Sequence, residues 1–502
     1  MNLSFENKTF ISYILGIFLF CFISQNTVLS SISNRVEDDE KQKQDTIKSA
    51  ETNIVGKIDD YTITMQELEK RLISELQPDP YRLYTEQATP YYDANSMLLQ
   101  MLGEKAVVME ARKQGRLEEE MIQQNVMNER RKRIVNLWVQ DIIKKENDKI
   151  AATEEEIDKQ IKADPKTDRA KAKSAIETAK ANKIIDQYYA NLYKKSEVKK
   201  ITENFSKVIE IHDRLLNQPV KPRPSSFIRD YQLKEELTEE EKNLPLAIFI
   251  HGKITLLEWF DVLCDFSPPS RPKNLNTEKG VDQLLEKALI KPLIMAEVHE
   301  LGMDNDPGFL KQIRDFENEL LLNNVKNLKH NDNNEPSAEE ILTFFNKNKE
   351  FFITDRIMNI DQIWCKNLET AKLVKKEIDS GKDFNDVKKE YSLYPDSRPY
   401  KTSLNNEGYF WKEIWPGQQN EIIGPVKGFH SGGIRWRVVK IIEKQQGTQK
   451  EYSKELETTA KYLMIGEMAI KEMADYCLES LKKYPYEIYS DKIKDINPMN
   501  IP

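Results

Sequence analysis

Four stretches decide how this chain is read: DRIMNIDQIW (residues 355–364), NLETAKLVKKEIDSGKDFNDVKKEYS (367–392), NNEGYF (405–410) and IIGPVKGFHSGGIRWRVVKI (422–441). Their order is a β-strand, a charged helical region, a glycine-containing turn and a closing β-strand. Together they predict a small α/β domain over 355–445, too short to account for 502 residues, which should hold two to four domains.

The composition bounds the rest. Charged residues make up 31% and apolar residues 39%, the profile of a helix-rich protein with solvated faces rather than a membrane bundle. The net charge of -8 comes from 75 basic and 83 acidic residues mixed throughout, and no basic stripe suggests nucleic acid as a partner. At the N-terminus, Lys8 precedes the apolar run Phe10 to Ile23, followed by Val28-Leu29-Ser30. The run suits a signal-peptide core (1–31) and is short for a membrane span. Phe20 before Cys21 is too bulky for a lipid-attachment site, while an uncleaved signal anchor would keep the protein near a membrane. Export to a periplasmic or other extracytoplasmic space is the expectation. A polar, disordered linker is expected over 32–52. Beyond it, Cys264, Cys365 and Cys477 are too widely spaced for a disulfide framework or a metal site. His212, His251, His299, His330 and His430 are scattered singly, so no metal is expected.

Outward from the α/β stretch, a second pattern appears twice. Ile54 to Ile63 reads as a short hairpin, and Thr64 with Glu67 as a capping box that opens a helix. Leu246 to Ile254 repeats the hairpin, with Thr255 and Glu258 repeating the box 191 residues on. Each is followed by a Pro-rich loop and a long apolar helix, MLLQMLGEKAVVMEARKQG ending at Gly115 and LLEKALIKPLIMAEVHELG ending at Gly302. Thr153 to Ile157 matches Ser337 to Ile341, and YYANLYKK (188–195) matches YCLESLKK (476–483). The simplest account is a duplicated helical module: a first copy over 53–201, a Pro-rich charged connector over 202–244, and a second copy over 245–354 completed by helices at 446–490. The α/β domain is inserted in that second copy, and a tail follows at 491–502. The fold class expected is therefore α+β, mostly helical.

SGKDFNDVKKEYS, GYF and GPVKG, in that order, resemble the parvulin (PpiC-type) peptidyl-prolyl isomerase domain. The flanking KIDDYTITMQELEKRL and FIHGKITLLEWF segments, with the long helices after them, resemble the SurA/PrsA-type extracytoplasmic chaperones. In that family an N-terminal helical segment and a distant C-terminal helix form one core around parvulin domains. The resemblance implies a protein-folding function, with unfolded or extended polypeptides as clients and no ATP, metal or other cofactor.

Prolyl isomerisation faces a barrier of about 18–20 kcal/mol set by amide resonance, and a catalyst must bind the twisted amide better than the planar one. Parvulins resemble one another in a polar cluster of two histidines and an acidic or thiol residue. On this chain those positions fall on Gln362, Arg437 and Tyr394, with Asp396 two residues on. The segment before Gly417 that would supply a proline-pocket Met is shortened. The catalytic positions are thus substituted, and either a degenerate isomerase or an unusual active one follows from the resemblance; an interaction subunit of an envelope complex is a further alternative. The dense aromatic set Trp364, Tyr409, Phe410, Trp411, Trp415 and Trp436 suits either core packing or a peptide groove, with Trp411 and Trp415 expected to be the most exposed.

Overall fold

A computed structural model describes residues 53–79, 93–165, 167–220, 227–331, 335–497 and 501. The expected signal peptide and linker (1–52), and most of the first Pro-rich loop, lie outside the described residues. The chain is mostly helical with small antiparallel sheets. The longer elements are β1 (Ile54–Ile58), β2 (Tyr61–Thr64), α1 (Met65–Glu75), α2 (Ala94–Lys113), α3 (Glu120–Lys145), α4 (Glu154–Ala163), α5 (Arg169–Lys195), β3 (Lys199–Lys200), α6 (Phe205–Asn217), β4 (Pro245–Phe249), β5 (Gly252–Thr255), α7 (Leu256–Asp265), α8 (Glu278–Glu300) and α9 (Pro307–Asn331). They continue with α10 (Ala338–Lys347), β6 (Ile357–Cys365), α11 (Leu368–Asp379), α12 (Phe384–Tyr391), β7 (Tyr400–Ser403), β8 (Ile422–His430), β9 (Gly433–Gln445), α13 (Lys454–Leu481) and β10 (Tyr486–Ile488).

Local chemistry sets these boundaries. Thr64, Thr153, Thr255 and Ser337 each cap a helix with the side chain accepting from the backbone three residues on, while Glu67, Glu156, Glu258 and Glu340 return the bond. Such a cap contributes about 0.5–2 kcal/mol. Gly115 and Gly302 sit in the left-handed region at φ 71° and 66°, just past α2 and α8, where a side chain would be strained.

The chain falls into two compact units. One comprises residues 123–316; the other comprises the described residues before 123 and after 316. In the first, β4 pairs with β5 on one edge and β3 on the other. A large core joins α3, α5, α6, α7 and α8, with Trp259 and Phe260 fully buried at its centre. The Trp259 indole N–H donates to the Val281 carbonyl at 3.1 Å, which satisfies the one polar atom of that ring.

In the second unit, β1 pairs with β2 and, on its other edge, with β10 from the far end of the chain, Lys57 opposite Glu487. Helix α13 packs along α2. At Gly103 the helices are so close that an added Cβ would stand 2.7 Å from the Cys477 carbonyl oxygen. Tyr484 and Lys483 both bond Glu110, and these bonds hold its carboxyl below the usual carboxylate range. The Lys492 ammonium donates to the Ile54 carbonyl.

The second unit also carries the α/β lobe, an antiparallel sheet in the order β7-β6-β9-β8. Alternation along β6 splits its faces. Ile363 and Cys365 pack with Val438 against α11 and α12, whereas Met358 and Ile360 pack with Val439 and Ile441 against Trp411 and Ile414. A short ladder of Ile353–Thr354 with Thr448–Gln449 closes the base of the lobe.

Two expectations are corrected, and the tail is placed. The 53–201 segment does not close on itself: the hairpin β1–β2 is completed by α13 and β10, and the hairpin β4–β5 by α5 and β3, so each hairpin takes the other's expected partner. The stretch 202–244 is not a connector, because Phe205, Val208, Ile211 and Leu215 form the buried stripe of α6 and Leu233 and Leu237 join the same core. The tail is also packed: Ile493 and Ile501 are buried with Val55 and Leu98.

Gly103→Ala tests the closure of the second unit. Alanine adds about 1 kcal/mol of helix propensity, but overpacking against the Cys477 backbone costs about 1–3 kcal/mol. A lowered denaturation midpoint is expected, and an unchanged or raised one would mean that α2 and α13 do not approach so closely.

Candidate functional site

Among the described residues, two candidate sites stand out: the polar face of the lobe, and a groove in the first unit. On the lobe, Gln362 of β6 and Arg437 of β9 share one sheet face and meet, the guanidinium donating to Gln362 Oε1 at 2.9 Å. Arg437 also donates to Glu407 Oε2 at 2.6 Å and to the Lys427 carbonyl at 3.3 Å. The Gln362 amide donates to the Tyr400 hydroxyl, and Glu407 accepts from Thr402 and Tyr400. Burial of the Tyr400 hydroxyl end, then the charge of Glu407, pushes its pKa up to about 12. Gly428 permits the arrangement, since a Cβ there would lie 2.5 Å from the Arg437 guanidinium carbon.

The result is a hydrogen-bonded cluster with a buried centre. Arg437 is 1% exposed, Glu407 5% and Gln362 6%. A buried guanidinium needs a carboxylate, and a carboxylate at this depth needs further donors; both conditions are met by side chains of the lobe itself. Tyr400, the outer member of the cluster, is 40% exposed and bonds both Gln362 and Glu407. A second ion pair, Lys388 to Asp361, is buried on the opposite face, where the Lys388 ammonium also donates to the Ser397 carbonyl.

The remaining sequence-derived residues divide. Tyr394 stands outside the hydrogen-bonded set; its hydroxyl faces Ser431 at 3.4 Å and its ring meets His430 edge-on at 4.5 Å. His430 stacks on Trp364 at 4.9 Å, and Arg437 lies over the same indole at 5.0 Å. His430 is therefore next to the cluster, because β8 and β9 fold back and pair it with Gly433. Desolvation, with Arg435 and Arg437 nearby, lowers its pKa. Trp364 and Phe410 are buried, and Tyr409 and Trp436 are half-buried under Lys412 and Lys427. The expectation that Trp411 would be exposed is overturned. It is 4% exposed and stacks on the half-buried Trp415 at 5.0 Å, because the shortened segment folds back as the cover of the sheet. Sequence reasoning missed Glu407 and Tyr400; the only signal was the need of a buried Arg437 for an anionic partner.

The groove was also missed. It is a cavity of about 2900 Å³ within the first unit, lined by α3, α5, α7 and α8. Sites for small molecules run to about 300–1,000 Å³, so this space suits a polypeptide segment. Its walls carry Met127, Val135, Val139, Leu257, Ile290 and Met295, none of them buried. Helix α8 packs Leu284, Leu285, Leu289 and Leu293 into the core, and its half-buried Ile290 and Met295, which touch that same core, also line the groove. Apolar residues around more than one face of a helix are the signal that could have found the groove. Charges of both signs line it, including Arg131 and Lys173 as well as Asp230, Glu258, Asp261 and Asp265. Desolvation, then the charges of Asp265 and Glu258, push Asp261 up to about 6, although its side chain still reaches solvent.

No family model and no curated protein matches the sequence. Among solved structures, the chain is similar to a SurA-like chaperone of Campylobacter jejuni, of the pair PEB4 and Cj1289, at 15% identity over 53% of this chain and 98% of that one, with a TM-score of 0.23. It is similar to PrsA from Bacillus subtilis at 17% identity over 50% and 96%, with a TM-score of 0.18. It is also similar to the foldase protein PrsA from Streptococcus pneumoniae at 12% identity over 45% and 81%, with a TM-score of 0.24.

Two outcomes follow from the site chemistry. Glu407→Gln strands Arg437 as a buried unpaired charge and should cost about 3–5 kcal/mol in a denaturation experiment, while replacing both residues by Met should recover most of that loss. A loss below 1 kcal/mol for Glu407→Gln would mean that Arg437 is solvated. At Asp261 the folded-state pKa lies above the unfolded value, so the associated stability is present below about 3.8 and lost as pH rises through about 6. The stability difference between Asp261→Asn and the parent chain should therefore grow in favour of the variant from pH 4 to pH 7, and a flat difference would contradict the assignment.

Proposed function

We propose that this chain is an exported holding chaperone that binds unfolded or extended polypeptides without ATP, and that its parvulin-like lobe has lost prolyl isomerase chemistry. The observation that carries the reading is the open groove of about 2900 Å³ in the first unit, walled by exposed Met127 and by half-buried apolar side chains. Apolar walls provide affinity without sequence preference, and Met127 and Met295 add side chains that adapt to different clients. Charged residues of both signs along the groove keep it soluble when empty. The loss of catalysis is supported by the substitution of both histidine positions and by the engagement of Gln362 and Arg437 with buried partners of the lobe.

The reading also covers the architecture. The two hairpin-and-helix segments are copies of one SurA-like module, and the C-terminal halves of the copies are exchanged within a single chain. The parvulin-like lobe, 355–445, is an insert ahead of the helix that completes the outer copy.

The test is suppression of aggregation of thermally unfolded citrate synthase. The parent chain should suppress it near equimolar ratio, and Ile290→Glu/Met295→Glu should require at least fivefold more protein. Equal suppression by the variant would remove the groove from the mechanism. A proline-tetrapeptide assay on the same preparations should run at the uncatalysed rate, and clear acceleration would restore the isomerase reading.

A further inference from the structure

Sulfur is unevenly placed in this chain. The three cysteines of the described residues are shielded: Cys365 and Cys477 are buried and Cys264 is half-buried. Burial pushes each thiol up to about 12, helped at Cys264 by a bond to Asp230 and at Cys477 by the charge of Glu104. A thiol reacts with oxidants as its thiolate, so these three sulfurs are unreactive near neutral pH. A thioether has no proton to lose, and access decides its oxidation. Met97, Met358 and Met473 are buried, and among the described residues Met121, Met127 and Met468 are exposed, at 66%, 51% and 38%. Of these three, Met127 is the one that lines the groove of the first unit. Its place on α3 explains why. Met127, Arg131, Val135 and Val139 recur every four residues along the helix and all line the groove. Val135 and Val139 are half-buried against the core, whereas Met127 is the exposed apolar member at the start of the stripe. Met121 lies on the same helix six residues earlier, on another side and outside the groove lining. Met295, the other groove methionine, is half-buried against the core. An exposed side chain carries little of a fold's stability, so a change at the Met127 sulfur alters the groove wall rather than the core.

We infer that Met127 is an oxidation site, and that its conversion to the sulfoxide by a peroxide weakens the hold of the groove on apolar polypeptide. With hydrogen peroxide, the thioether lone pair attacks one peroxide oxygen, an S–O bond forms and the O–O bond breaks. Sulfur gives up two electrons, and the second oxygen leaves as water carrying both protons. The product sets a strong dipole and a hydrogen-bond acceptor where the wall was apolar and adaptable. Losing one methionine from an apolar contact weakens binding about three- to tenfold. The inference rests on the holding reading and adds a chemical regulator to the same groove: peroxide lowers its grip on client while the fold stays intact.

The experiment treats the full chain with dilute hydrogen peroxide, removes the peroxide and locates the sulfoxides by peptide mass spectrometry. Met121, Met127 and Met468 should be oxidised ahead of Met295, and Met97, Met358 and Met473 should stay unmodified. The treated chain should then need at least threefold more protein than the untreated chain to suppress citrate synthase aggregation, with its denaturation midpoint unchanged. Each variant is compared with its own untreated state. Met127→Leu should show no loss on treatment, because leucine keeps an apolar side chain and has no sulfur, whereas Met121→Leu/Met468→Leu should lose at least threefold, as the parent does. Protection of Met127 while Met121 reacts, or an equal loss in treated Met127→Leu, would overturn the inference. A fall in the midpoint that Met127→Leu prevents would also overturn it and make Met127 a packing residue. Suppression by the untreated parent with no effect of peroxide would sink the oxidation site and leave the holding function standing; no suppression by the untreated parent would sink the holding reading and this inference with it.

Discussion

A two-stranded hairpin with a pair of helices cannot bury its own apolar face, and the whole chain is arranged around that constraint. β1–β2 with α1 and α2 presents Val55, Ile58, Leu98 and Leu102, all fully buried in the folded chain. The cover comes from α13 and β10, nearly the full length of the sequence away. The closeness of α2 and α13 at Gly103, the bonds of Lys483 and Tyr484 to Glu110, and the tail residues Ile493 and Ile501 all belong to this closure. The same constraint is met at β4–β5 by β3 and α5, which precede the hairpin in the chain. One architectural problem is thus solved twice, with the completing elements taken from opposite directions along the sequence.

Within the lobe, the deciding interaction is the buried pair Arg437–Glu407. An arginine at 1% exposure is tolerable only with a carboxylate partner, and removing either side would leave an uncompensated charge. Glu407, Gln362, Tyr400 and Thr402 are ordered around it, and Gly428 lets the neighbouring strand approach. This face of the sheet carries a polar network made by side chains of the lobe itself. The Lys388–Asp361 pair is buried on the opposite face of the same sheet. Apolar surface open to solvent is found instead in the groove lined by α3, α5, α7 and α8.

Much of this was legible in the sequence. The helix starts at Thr64, Thr153, Thr255 and Ser337, and the stops at Gly115 and Gly302, follow from local chemistry and are where the residues placed them. The strand and helix order of the lobe was also readable, whereas the contact of Gln362 with Arg437 is seen only in the structure. The exchange of partners was not. YYANLYKK and YCLESLKK are alike, and the choice of hairpin rests on packing between elements far apart in the chain. Glu407 escaped because its role depends on a residue 30 positions away. Trp411 was misplaced because a shortened loop was read as exposed when it serves as the cover of a sheet. The groove was hidden in helices whose second apolar face looked like part of the first.

The central claim, that unfolded polypeptide lies in the groove of the first unit, is tested most directly by site-specific photo-crosslinking. A benzophenone side chain would be placed in turn at Val139, at Met295 and at Tyr394, and each protein illuminated with a denatured, radiolabelled client. The account predicts strong crosslinks from positions 139 and 295, lost when the client is native, and weak ones from 394. Crosslinks confined to position 394, with none from the groove, would contradict it.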